Sequence, residues 1–105
     1  ELMIAMLNRG IHPRVRQIGG VGASGDLVEL AQLALALLGE GTVVRDGREI
    51  PSAEALRDAG LEPIAPRFRE GLALMNATSF HTAAAALVAA RARDVLAAAE
   101  TAAAM

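Results

Sequence analysis

An all-α fold, a segment of an elongated helical bundle with one short β-excursion near residues 42–50, is what this sequence predicts. Three observations point to it. Hydrophobic residues make up 53% of the 105-residue chain while aromatic residues make up 2%, so small apolar side chains, alanine above all, must form the packed surfaces. Alanine is the best helix former and lets helices approach one another closely. Leu27, Leu30, Ala31, Ala34, Leu35 and Leu38 recur at the i, i+3, i+4 spacing of one buried helix face. Finally, Ser79 to Ala104 contains neither proline nor glycine and reads as one helix of about 40 Å at 1.5 Å per residue.

The elements follow in order. Leu2 to Leu7 is apolar and helix-compatible, and Asn8-Arg9-Gly10 stops it. Ile11 to Ile18 is extended or irregular, because Pro13 biases His12 away from helix. Gly19 to Asp26 is a glycine-rich loop, and Asp26 stands where it can cap the helix Leu27–Leu38 and favour its positive end. Gly39 and Gly41 end that helix. Thr42 to Ile50 turns back on itself at Asp46-Gly47, a hairpin signal, with exposed polar residues and arginines. Pro51-Ser52-Ala53-Glu54 opens a helix that reaches Ala59, and Gly60 terminates it. Pro63 and Pro66 fence an irregular link before a helix over about Arg67–Leu74. Asn76-Ala77-Thr78-Ser79 breaks the chain and caps the last helix. The chain opens at Glu1-Leu2-Met3-Ile4 with no start signal, so a piece of a longer polypeptide is expected.

Composition excludes several function classes. The net charge is −2, no lysine occurs, and there is no basic patch interleaved with aromatics, so nucleic acid is not an expected partner. With no cysteine there is neither a disulfide framework nor a cysteine metal site, which fits a cytoplasmic location. His12 and His81 are the only histidines and have no ligand-spaced partners, so no metal is expected. The apolar run Thr82–Ala90 is broken by Arg91, Arg93 and Asp94, short of the ~18 residues of a membrane span.

Two chemistries compete for the loop Gly19-Gly20-Val21-Gly22-Ala23-Ser24-Gly25-Asp26. Gly20, Gly22 and Gly25 match G-x-G-x-x-G, the fingerprint that holds a pyrophosphate on backbone N–H groups at a helix N-terminus. A nucleotide-binding helical domain is that reading. Its scaffold is poor. Arg14-Val15-Arg16-Gln17-Ile18 alternates charged and apolar residues, whereas a buried parallel strand is near-continuously apolar. The other chemistry is covalent. In a tightly bent Ala23-Ser24-Gly25, the glycine nitrogen can reach the alanine carbonyl carbon, since glycine has no Cβ in the way. Ring closure with loss of two waters yields 4-methylidene-imidazol-5-one (MIO), an electrophile that no ordinary side chain supplies.

The covalent reading is supported by a resemblance. Gly19 to Leu27, then Leu35-Ala36-Leu37-Leu38-Gly39-Glu40-Gly41, Ala59-Gly60-Leu61-Glu62-Pro63, and Glu70-Gly71-Leu72-Ala73-Leu74-Met75-Asn76 resemble, in order, the aromatic amino acid ammonia-lyase and 2,3-aminomutase family. That family includes histidine, phenylalanine and tyrosine ammonia-lyases. The resemblance implies an ammonia-lyase that eliminates ammonia from an L-aromatic or imidazole α-amino acid, or a 2,3-aminomutase giving a β-amino acid. Ala23, Ser24 and Gly25 would form the MIO, Asp26 would help orient them, and Asn76 would lie beside the ring. The backbone N–H groups of Leu27 and Ala77 look like the donors to the ring's carbonyl oxygen. Phe80 and His81 are candidates for the substrate pocket. The resemblance further implies a homotetramer whose active sites are shared between subunits. It also implies a tyrosine base, and since the chain has no tyrosine that base lies elsewhere.

The sequence departs from the family pattern at five places. Gly20 stands where a serine or threonine is common, and Val28-Glu29 replaces a residue followed by proline. Arg16-Gln17 occupies a region that usually contains proline. Ala77 replaces the glycine of Asn-Gly-Thr, and Phe80-His81 is bulkier than usual. At φ > 0, a Cβ on Ala77 would cost about 1–2 kcal/mol.

Overall fold

The computed structural model describes residues 1–20 and 25–105. Its helices are α1 (Leu2–Asn8), α2 (Leu27–Leu37), α3 (Ser52–Asp58), α4 (Glu70–Met75) and α5 (Ser79–Ala104). Between them lie three short strands, β1 (His12–Pro13), β2 (Thr42–Arg45) and β3 (Arg48–Pro51). They form one antiparallel sheet in the order β1-β2-β3. The predicted helical class holds, with a sheet one strand larger than the predicted excursion. His12 pairs with Val44 and Pro13 with Val43, so the segment after α1 adds an edge to the hairpin.

The hairpin turns at Asp46 and Gly47, with φ of 52° and 74°, which is the turn that matches the natural twist of paired strands. The polar residues of the hairpin, Asp46, Arg48 and Glu49 among them, are exposed as expected, while Val43 carries the hairpin into the core. Val43 is fully buried with Met6, Ile11, Ala36, Leu37, Ala55 and Leu56. Burying a large apolar side chain contributes about 1.5–3 kcal/mol, so this cluster holds α1, the end of α2, β2 and α3 as one unit. Ser52, also buried, donates its hydroxyl to the Ala36 carbonyl at 2.7 Å, so the start of α3 costs no unsatisfied polar group.

α4 begins three residues later than the sequence suggests. Phe68 adopts φ 46°, and the Glu70 carboxylate accepts the Arg67 backbone N–H at 2.6 Å. A capped turn thus replaces the first helical turn. α4 then packs on α2 through Ala31, Ala34, Leu35 and Leu38 against Gly71, Leu74 and Met75, around an apolar groove of about 290 Å³.

α5 matches its predicted range and stands apart. None of its residues is buried, and it stretches the molecule to 58 Å along its longest axis. By length and composition alone, the stretch Glu70–Ala104 is apolar enough to cross a membrane. The break at Asn76 divides that stretch into α4 and α5, and Arg91, Arg93, Asp94 and Glu100 interrupt α5.

Candidate active site

The glycine loop is held at both ends. Upstream, the Arg16 backbone N–H donates to Gln32 Oε1 at 2.7 Å, which ties the chain entering the loop to α2. The Glu29 carboxylate lies against Gly20, so that a Cβ on Gly20 would collide with it. Two of the departures from the family pattern, Gly20 and Glu29, are therefore coupled in space: the missing side chain makes room for the added one. Glu29 is a site neighbour that the sequence reading noted only as a replaced proline. The only signal was an acid, later found buried, on an otherwise apolar first turn.

Downstream, Gly25 sits at φ +129°, and a Cβ built on it would lie 2.7 Å from the Ala77 carbonyl oxygen. Both the backbone conformation and this close approach require glycine. The next residue continues the contact, since the Asp26 backbone N–H donates to that same Ala77 carbonyl at 2.9 Å. Gly25→Ala should therefore force the loop off the α4–α5 junction. We expect a stability loss of about 1–3 kcal/mol from backbone strain alone, measured as a lower denaturant midpoint for the full-length protein. A Gly25→Ala protein with an unchanged midpoint would show that the close approach is absent.

Asp26 departs from its expected role. It occupies the N-cap position of α2 but makes no side-chain capping bond there. Its carboxylate instead crosses to α5 and accepts the His81 backbone N–H at 2.9 Å through Oδ2. Its other oxygen meets Nδ1 of the His81 ring. Thr78, the N-cap of α5, makes no side-chain cap bond either, so Asp26 supplies the anionic acceptor that the start of α5 lacks. Asp26 is 2% exposed. Burial pushes its carboxyl up, but the His81 backbone N–H, the His81 ring and its charge, and the Phe80 N–H outweigh that and hold the pKa below its ordinary value. This contribution to the fold is thus complete above the ordinary carboxyl pKa, about 3.9, and is lost as the pH falls through the lowered value.

The remaining site candidates gather round this junction. Asn76 is the C-cap of α4 with φ −93° and ψ 75°, exposed beside Ala77. Ala77 turns its carbonyl toward the loop, while its N–H bonds the Met75 carbonyl at 3.2 Å. Ala77 does not adopt a positive φ, and the strain considered for its Cβ does not arise. Leu27 begins α2, directly after Asp26. Phe80 and His81 lie on the first turn of α5 with their rings edge to face, 6.4 Å between centroids. Ala23 and Ser24 lie outside the described residues. So do Val21 and Gly22. His12 is an exposed residue of β1, remote in the sheet from these groups. Among the described residues no cluster of acids and histidines could hold a metal ion.

The nucleotide-binding alternative lacks its scaffold. β1, the strand before the loop, is two residues long and pairs antiparallel with β2, the strand after α2, which pairs antiparallel with β3 as well. A dinucleotide fingerprint needs a parallel β-α-β unit. A polar cleft of about 340 Å³, lined by Arg14, Arg16, Gln32, Thr42 and Glu49 among others, includes neither Asp26 nor Asn76.

Fold and site together define a helical segment organised around a glycine loop that is clamped between two helices. The chain belongs to the aromatic amino acid lyase family, whose model matches residues 1–105. It is 53% identical over 87 residues to a histidine ammonia-lyase of Geobacillus kaustophilus, covering 83% of this chain and 17% of the relative. It is 48% identical over 94 residues to an MIO-dependent tyrosine 2,3-aminomutase of Streptomyces globisporus, covering 90% and 17%. Among solved structures, a histidine ammonia-lyase of Trypanosoma cruzi superposes with a TM-score of 0.77 at 36% identity, over 87% of this chain and 18% of that one. The chain thus spans 17–18% of the length of these relatives.

Proposed function

We propose that the full-length protein eliminates ammonia from an L-aromatic or imidazole α-amino acid, using an MIO formed from Ala23, Ser24 and Gly25. The observation that carries this reading is the clamp on Gly25: a positive φ and a carbonyl where any Cβ would sit, immediately after the serine that cyclisation needs. In the cyclisation the Gly25 nitrogen bonds to the Ala23 carbonyl carbon. The carbonyl oxygen leaves as water with the Gly25 and Ser24 amide protons, and a C=N bond to the Ser24 nitrogen remains. Ser24 then loses its Cα proton and hydroxyl as a second water, which creates the exocyclic methylene. The residues present suit this group, since the glycine is held bent and Asp26 is fixed beside it.

An MIO held by Gly25 and Asp26 would supply an electrophilic carbon for the substrate amine, making the amine a better leaving group. Asn76 offers an amide donor at the junction, where developing negative charge can be met. The β-proton is taken by a base outside these 105 residues, which contain no tyrosine. α5, with no buried residue, is read as the start of a long bundle helix covered by other protein segments, within a cytoplasmic homotetramer whose subunits share active sites. A 2,3-aminomutase is the second reading, favoured by the 48% identity to the tyrosine 2,3-aminomutase of Streptomyces globisporus.

One experiment tests both. Full-length protein is incubated with L-histidine, L-phenylalanine and L-tyrosine in turn, and products are resolved by mass and chromatography. An α,β-unsaturated acid with free ammonia supports the lyase, and a β-amino acid of unchanged mass supports the aminomutase. If all three amino acids are returned intact by a protein whose loop has lost two waters, this substrate class is wrong.

A further inference from the structure

We propose that His81 is a positioning residue for maturation of the loop, acting through Asp26. This rests on the reading that Ala23, Ser24 and Gly25 cyclise. Both carboxylate oxygens of Asp26 are engaged by this one residue: Oδ2 by the His81 backbone N–H at 2.9 Å and Oδ1 by the His81 ring. Two donors from one residue fix the carboxylate plane as well as its position. The Asp26 backbone is fixed at the same time, because its N–H is bonded to the Ala77 carbonyl. Gly25 lies between that peptide and the serine, so the nitrogen that must attack Ala23 belongs to a residue pinned on its C-terminal side.

The His81 ring is the replaceable part of this arrangement. Its side chain is 68% exposed whereas that of Asp26 is 2% exposed, so the ring covers the carboxylate from the solvent side. Removing it leaves the backbone N–H in place but opens Oδ1 to water and frees the carboxylate to rotate. Ring closure depends on holding the nitrogen and the carbonyl carbon in an attacking geometry, and small displacements slow such reactions steeply. His81 therefore sets how fast the loop matures, and it does so without touching the reacting atoms.

The test uses the full-length protein, wild type, His81→Ala and His81→Gln. Each is sampled over time after synthesis, and the loop peptide is weighed to give the fraction that has lost two waters. Folding is followed in parallel by circular dichroism and thermal midpoint. We expect His81→Ala to mature about 10- to 100-fold more slowly than wild type, at a midpoint that does not account for the delay. His81→Gln, which restores a side-chain donor, should recover most of the rate. Activity should fall through kcat in proportion to the unmatured fraction, with KM unchanged. Maturation of His81→Ala at the wild-type rate overturns the proposal, as does a His81→Gln that is folded but as slow as His81→Ala. A wild-type loop that never loses two waters overturns the cyclisation reading as well, which distinguishes the two failures.

Discussion

Replacing Ser24 with alanine in the full-length protein should leave a folded enzyme with almost no turnover. In the proposed cyclisation the methylene carbon derives from the serine side chain, so Ser24→Ala would remove the electrophile at its source and with it the covalent step it would provide. The stability cost should be small, because serine and alanine are close in volume and Gly25 and Asp26 are held through their own contacts with Ala77 and His81. Three measurements check this together. The intact mass of wild type should fall two waters short of its sequence, the near-ultraviolet absorbance of the ring should be present, and Ser24→Ala should lack both. An active preparation with an unmodified wild-type mass would rule out the MIO.

Asn76→Ala should lower kcat by roughly 10²–10³, the scale for loss of one donor to a developing charge, with a smaller change in KM. The competing explanation for Asn76 was a helix cap. Thr78 holds the N-cap of α5, and Asn76 only closes the C-terminal end of the six-residue α4. Loss of a cap would cost about 1 kcal/mol of stability and leave turnover per folded molecule intact. Kinetics on the matured, full-length variant beside its thermal midpoint separates the two. An unchanged kcat would remove Asn76 from the active site.

Much of the fold was legible in the sequence because its signals are local. The i, i+3, i+4 stripe from Leu27, the Asp46-Gly47 turn and the unbroken run from Ser79 each depend on neighbours within a few residues, and α2, the hairpin and α5 appear within a residue of where those signals put them. What was not legible depends on residues distant in sequence. His12 and Pro13 join the sheet only because β2 comes alongside them. The start of α4 was misjudged because Phe68 takes a left-handed backbone, which nothing in its own chemistry favours. The site shows the same division. Gly25, Asp26 and Asn76 were named from their motifs, and Gly25 and Asp26 meet Ala77 in space. The switch of Asp26 from its own helix to α5 required knowing that His81 comes within reach. The fit of Glu29 over Gly20 likewise depends on how the chain entering the loop lies against α2.

The bond between Asp26 and His81 spans 55 residues, and that separation bears on the order of folding. Bringing together the ends of so long a loop costs on the order of 3–4 kcal/mol in chain entropy, whereas the hairpin and the individual helices close over short distances and form early. During synthesis the tripeptide emerges well before α5 exists to grip it. If the tripeptide cyclises as proposed, this topology ties formation of the reactive carbon to tertiary closure, so nascent and misfolded chains would carry no electrophile for cellular thiols and amines to attack.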